Sequence, residues 1–165
     1  MVGVGTFMPG NKFAISTIMT VLLAGSFATV AFDMFGQALS PLAGYAKLAP
    51  VGLANGTIKA VLGTKIAGGG YLLHMLVGLL AYPLGWLLIA RPLADKITPW
   101  MPKILVAVAY GIGLWVFALY IMAHLVVGNK PFLGFTGITW VAFYGHIVYA
   151  IAFYGAWEWL RKRLA

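Results

Sequence analysis

Apolar and polar positions in this chain segregate over tens of residues rather than alternating every two or four. Four runs, Phe13–Phe32, Gly70–Ala90, Ile104–Val127 and Ile138–Leu160, are almost free of formal charge. Each reaches the length of about 20 residues that an α-helix needs to cross the hydrocarbon of a bilayer. The stretch after the second run, RPLADKITPWMPK, carries Pro92, Pro99 and Pro102 and predicts a break. The pattern therefore predicts an all-α fold over residues 1–165, a single polytopic four-helix transmembrane bundle. Lys12 before the first run gives it the look of a signal peptide, but the apolar run continues through Thr29 and Val30 to Phe32, so it reads as a retained helix.

The segment Met34–Gly69 interrupts this order. It is as apolar as the runs, rich in Ala and Gly, and contains Pro41 and Pro50. Within it VGLANGTIKAVLG predicts a short helix, and Gly68–Gly69–Gly70 a flexible link into the second run. Irregular backbone at membrane depth survives only beside protein or water, so the expectation is a long first outer loop lying in the interface.

Composition agrees. The chain is 62% hydrophobic and 8% charged, with a mean hydropathy of +0.96, whereas a soluble domain carries about a quarter charged residues. There is no cysteine, which removes disulfides, thiolate metal sites and cysteine nucleophiles. The net charge of +8 comes from basic residues scattered over short connections. That pattern fits the positive-inside rule and anionic headgroups and predicts no nucleic-acid partner. Lys12, Arg91, Lys96, Lys103, Arg161, Lys162 and Arg163 fall on one side, and Lys47, Lys59, Lys65 and Lys130 on the other. Seven against four places both termini in the cytoplasm.

Polar side chains inside the runs are the candidate chemistry. At 1.5 Å per residue, Asp33 and His124 stand about 31 Å above the basic anchors Lys12 and Lys103, His74 about 25 Å above Arg91, and His146 about 22 Å above Arg161. All three histidines and Asp33 therefore fall in one layer of the outer half. The matching spacings, with His74 followed by Tyr82 and His146 by Tyr154, hint at a duplicated hairpin in which Asp33 corresponds to His124 and His74 to His146. Helical periodicity places His74 on a ridge with Gly70, Gly78, Ala81 and Gly85, a row that lets a neighbouring helix approach. Asp33 shares a ridge with Ser26, Thr29 and Gln37, and His146 with Ala142, Tyr149 and Phe153.

An intramembrane ionisable group is a functional candidate by default, although a histidine can also satisfy itself by pinning two helices together. His74, His146 and His124 are candidate cofactor ligands: a pair at similar depth suits haem b, and a single imidazole suits a (bacterio)chlorophyll magnesium. Asp33, His74, His124 and His146 together form a candidate donor set for a transition metal. Asp33 with the histidines also suits a proton or cation path. No H-x3-H spacing, phosphate-binding glycine loop or Ser–His–Asp set occurs, so no catalytic residue is expected.

The segments GSFATVAFDMFGQ, LLHMLVGLLAY and AYGIGLWVFALYIMAH resemble the YagU-like family of small bacterial inner-membrane proteins. The resemblance implies four spans and an inner (plasma) membrane location, and it carries no settled activity. The functional expectation is an accessory or structural subunit of a larger membrane complex or self-associating bundle, with no catalytic activity of its own. The alternatives are a haem-, pigment- or metal-binding redox subunit and a small transporter or proton-linked stress protein.

Overall fold

The computed structural model describes residues 10–164, with side chains from Ile15 onward; the Lys12 side chain lies outside the described residues. Helix α1 runs through Gly10–Asp33 and continues over Met34–Leu39 and Ser40–Leu42. A short helix α2 (Pro50–Leu62) precedes α3 (Gly69–Ile97), α4 (Lys103–Val126) and α5 (Gly137–Leu164). Among the described residues, α1, α3, α4 and α5 are long and apolar enough to cross a bilayer. Their outward faces carry large apolar side chains such as Phe27, Leu72, Leu88 and Leu125, as lipid-facing surfaces do. This is an integral membrane protein.

Two helices outrun the lengths predicted for them, and both corrections involve proline. The first span was expected to end at Phe32 and give way to a loop, but the backbone stays helical to Leu42 through wider π turns at Met34–Leu39. There Ser40 N–H bonds the Phe35 carbonyl five residues back. The next N–H in that register would belong to Pro41, which has none, so the Gly36 carbonyl is released. The returning chain fills it, with Leu48 N–H donating at 2.9 Å. In α3 the same event recurs. Tyr82 N–H bonds Val77 O, Pro83 follows without a donor, and the Gly78 carbonyl accepts instead from the Tyr149 hydroxyl of α5 at 2.5 Å. A proline in a wide turn thus frees a carbonyl for tertiary use rather than breaking the helix.

The predicted break after Ala90 likewise shifts: Arg91–Ile97 remains helical with Pro92 inside it, and the turn falls at residues 98–102. Asp95 ties this turn together, paired with Arg91 at 3.8 Å and bonded by Lys103 across the turn. The region expected as the outer loop is largely helical, comprising the end of α1 and all of α2. Gly63, with φ of 73°, ends α2 in the left-handed conformation that favours glycine.

The helices run alternately up and down. Helix α1 packs against both α3 and α5, and α5 packs against α4, giving the order α3–α1–α5–α4 around the bundle. The α1–α5 seam is tight because α1 presents Ala24 and Ala28 to Tyr149 and Phe153, all buried in one core cluster. Hydroxyls inside α1 are satisfied within the helix: Thr20 donates to Ser16 O at 2.8 Å and Thr29 to Gly25 O at 2.8 Å. Closing the ring, α3 and α4 meet narrowly, around Tyr110 and through Tyr82, whose ring lies edge-on to Phe117 at 6.5 Å. The Tyr110 ring lies 5.6 Å from that of Trp86, and its hydroxyl donates to Tyr82 O at 2.5 Å.

The α4–α5 connection is unusual. Phe132, Leu133, Gly134 and Phe135 have φ values of 49°, 54°, 71° and 55°, a left-handed turn made mostly of non-glycine residues. Such a turn costs roughly 1–2 kcal/mol per residue. Aromatic packing offsets it: the Phe132 ring lies 4.6 Å from Trp115, 5.5 Å from Tyr120 and 5.3 Å from Phe135.

Candidate functional site

Because α3 and α4 barely touch, a cleft of about 860 Å³ opens between them, a size typical of small-molecule sites. Its floor is formed by Thr29 and Phe32 of α1 and by Ala142, His146 and Tyr149 of α5. At one end Leu53, Ala54 and Thr57 of α2 cover it; at the other it reaches Ile97 and Met101. The lining is overwhelmingly apolar, so the few polar groups on it decide what it can do.

His74 and Asp33 meet at the α2 end. The imidazole Nε2 lies 3.0 Å and 3.1 Å from the two carboxylate oxygens of Asp33. Gln37, one turn further along α1, donates to Asp33 Oδ1 at 2.7 Å. The π turns make this geometry available by carrying α1 past Asp33, so that Gln37 stays on the ridge of its partner. The small residues on α3 sit at close approaches, but to different neighbours rather than to one helix: a Cβ on Gly78 would fall 2.2 Å from Thr29 Oγ1 of α1, one on Gly70 2.5 Å from the Asn55 side chain of α2, and one on Gly85 2.5 Å from the Tyr110 hydroxyl of α4. The His74 and Asp33 side chains keep 15% and 30% of their surface exposed, so this is a half-buried bridge between helices. His74 is on the cleft wall; Asp33 is behind it.

His146 is placed differently. It is 5% exposed, and its Nδ1 lies 2.7 Å from the Ala142 carbonyl one turn earlier in α5. A carbonyl can only accept, so Nδ1 carries the proton. Nε2, on the side of the ring away from the α5 backbone, is then left with its lone pair. It makes no hydrogen bond among the described residues, and the ring lines the cleft. A backbone carbonyl that fixes the tautomer while Nε2 stays free is the arrangement that ligating and proton-accepting histidines share. Two aromatic rings stand beside it, Phe32 edge-on at 5.1 Å and Tyr82 at 6.2 Å, and Tyr149 packs on Tyr82 at 5.4 Å. The Tyr82 hydroxyl is also without a hydrogen bond among the described residues, while its backbone carbonyl is the one held by Tyr110.

Of the four polar residues expected in one layer, the structure joins Asp33 to His74 directly. It places the Phe32 ring against both His74, at 6.3 Å, and His146. His124 stands apart: its Nδ1 bonds Asn129 O at 2.7 Å beside Tyr120, near the α4–α5 turn. Among the described residues, no three His, Asp or Glu side chains cluster in a way that would hold a metal ion. The second hairpin has no counterpart of the Asp33–His74 bridge, since His124 and His146 each bond a backbone carbonyl. Phe32 and the tautomer of His146 were not singled out by sequence reasoning. The Tyr82 spacing from His74 was visible, but it points to neighbours on one helix and not to the ring of His146 across the bundle.

No family model, curated protein or solved structure matches this chain. Its chemistry is read from its own geometry.

Proposed function

We propose that this protein is a small accessory subunit of a bacterial inner membrane that holds one apolar ligand in the cleft between α3 and α4. Its α2 end faces outward and both termini lie in the cytoplasm, in keeping with the uneven distribution of Lys and Arg. The observation that carries the reading is the open α3–α4 seam. Three of the four helix–helix seams are packed, and the fourth is an apolar cleft of about 860 Å³ with a free imidazole nitrogen on its floor. A bundle whose only task was to fill space would gain dispersion contacts by closing that seam. The binding role and the accessory role are compatible, since a subunit that presents a ligand to a larger assembly needs no acid–base machinery of its own.

Gly113 provides the test. It lines the cleft, and a Cβ added there would meet nothing within 4 Å. Gly113→Phe therefore adds a ring at the wall of the cleft from a position where its first carbon meets open space, and replacing this helical glycine by Phe favours the helix by roughly 0.5 kcal/mol. Wild-type protein purified in mild detergent is expected to carry an apolar small molecule at about one per chain, detected by native mass spectrometry and solvent extraction; Gly113→Phe is expected to lose it while unfolding no earlier than wild-type protein stripped of the molecule. Wild-type protein without any such molecule, or equal retention by both proteins, overturns the reading.

A further inference from the structure

We infer that the cleft takes a hydroxylated aromatic headgroup on a hydrocarbon tail, the chemistry of a membrane quinol, and that His146 makes it favour the reduced form over the quinone. This rests on the cleft reading above and names the class of its ligand.

Hydrogen-bond polarity carries the argument. The Ala142 carbonyl holds the proton of His146 on Nδ1, so Nε2 offers only a lone pair. A phenolic O–H can donate to that lone pair. A quinone carbonyl cannot, and it would set oxygen lone pairs against the nitrogen. Tyr82, whose ring is 6.2 Å from that of His146, brings a hydroxyl able to donate to the oxygen of either form. The two groups therefore differ in what they read: Tyr82 binds the head in both oxidation states, and His146 distinguishes them. Aromatic rings of Phe32 and Tyr149 beside the pair suit a planar head. The apolar walls at Ile89, Ala109 and Met101 suit the tail. Reorientation cannot rescue the wrong form, because turning Nε2 into a donor would leave Nδ1 facing the Ala142 carbonyl with no proton.

In a water-poor site, one hydrogen bond made or left unmade corresponds to about a tenfold change in affinity or more. The experiment uses full-length protein in quinone-free phospholipid nanodiscs, titrated calorimetrically with decyl-benzoquinol under argon and separately with the matching benzoquinone. The quinol is expected to bind about tenfold more tightly, raising the midpoint potential of the bound couple by about 30 mV. His146→Leu is expected to bring the ratio close to one, by weakening the quinol and relieving the repulsion of the quinone, and Tyr82→Phe to weaken both forms. Gly113→Phe is expected to abolish both.

Equal binding, or tighter binding of the quinone, by wild-type protein overturns the inference without need of any variant. Binding that survives Gly113→Phe also overturns it, because the head is then elsewhere. So does a Soret band in the purified protein that disappears in His146→Leu, because the imidazole would then be ligating iron. If neither probe binds but the purified protein carries another apolar molecule that Gly113→Phe removes, the quinol assignment fails and the cleft reading stands. If nothing is carried and neither probe binds, both fail.

Discussion

In two of the helix pairs, α1–α3 and α4–α5, a glycine lets one backbone touch the other. A Cβ on Gly25 of α1 would fall 2.7 Å from the Leu79 carbonyl of α3, and one on Gly111 of α4 would fall 2.8 Å from the His146 carbonyl of α5. From there the α1–α3 and α4–α5 pairs diverge. The first adds a side-chain bridge, with His74 and Gln37 both bonding Asp33. The second has no charged bridge. Trp115 Nε1 donates to Thr139 O at 3.1 Å, and His146 turns back on its own helix. The lesson concerns what each histidine does with its bonded nitrogen. His74 Nε2 pins two helices together through Asp33, whereas His146 Nδ1 fixes only the tautomer and orientation of its own ring.

The largest effects should come from the shared feature. Gly25→Val and Gly111→Val each force a side chain onto partner backbone that cannot rotate away. Each is expected to lower stability by about 3 kcal/mol in detergent thermal unfolding. Gly78→Ala approaches its neighbour more closely, yet that neighbour is the Thr29 side chain. It should cost less and be relieved by adding Thr29→Ala; no relief would mean that the α1–α3 approach is set elsewhere.

The bridge itself comes next. Asp33→Ala leaves His74 and Gln37 without their acceptor and is expected to cost about 1–3 kcal/mol. His146→Leu, which keeps the volume and removes only a bond to a helical carbonyl, should cost less than about 1 kcal/mol. If His146→Leu proves as damaging as Asp33→Ala in the same unfolding assay, the contrast between the two histidines is lost.

A smaller effect tests the carbonyl that Pro83 releases. Tyr149→Phe removes the donor to Gly78 O and is expected to cost about 1 kcal/mol. In a Pro83→Ala background the backbone regains an N–H, and the same substitution should cost almost nothing. A double-mutant cycle reads this coupling directly. Last, Trp115→Phe keeps an aromatic ring against Phe132 and loses one bond to Thr139, an effect of about 0.5 kcal/mol by the same measurement.

Much of the fold was legible because lipid imposes a simple length rule: four long apolar runs, and four helices that fit them. The small residues of α3 were legible only as points of close approach: spacing assigns Gly70, Gly78 and Gly85 to one face, whereas they meet α2, α1 and α4 respectively, with the wider turns at Val77–Ala81 altering the helical period between them. Helix ends were read less well. Pro41 and Pro92 look like breakers, and whether a proline breaks a helix depends on whether its freed carbonyl finds another donor. For Pro41 that donor is Leu48 N–H, which only the folded chain brings near. The Asp33–His74 bridge was half legible: depth put the two residues in one layer, but pairing required knowing that α1 lies beside α3. The free nitrogen of His146 was out of reach, because periodicity assigns a face and says nothing of the rotamer that turns Nδ1 toward Ala142. The cleft was also out of reach, being a property of one seam left loose among four.

That loose seam makes the bundle mechanically unequal in different directions. Pressed along α1–α5, it resists, because Ala24 and Ala28 leave nothing to compress. Pressed across α3 and α4, it yields, since the Tyr110 cluster is the narrow strut between them. The lateral pressure of the surrounding bilayer therefore acts on the cleft more than on any other part of the protein, and a change in lipid packing would register first as a change in its width.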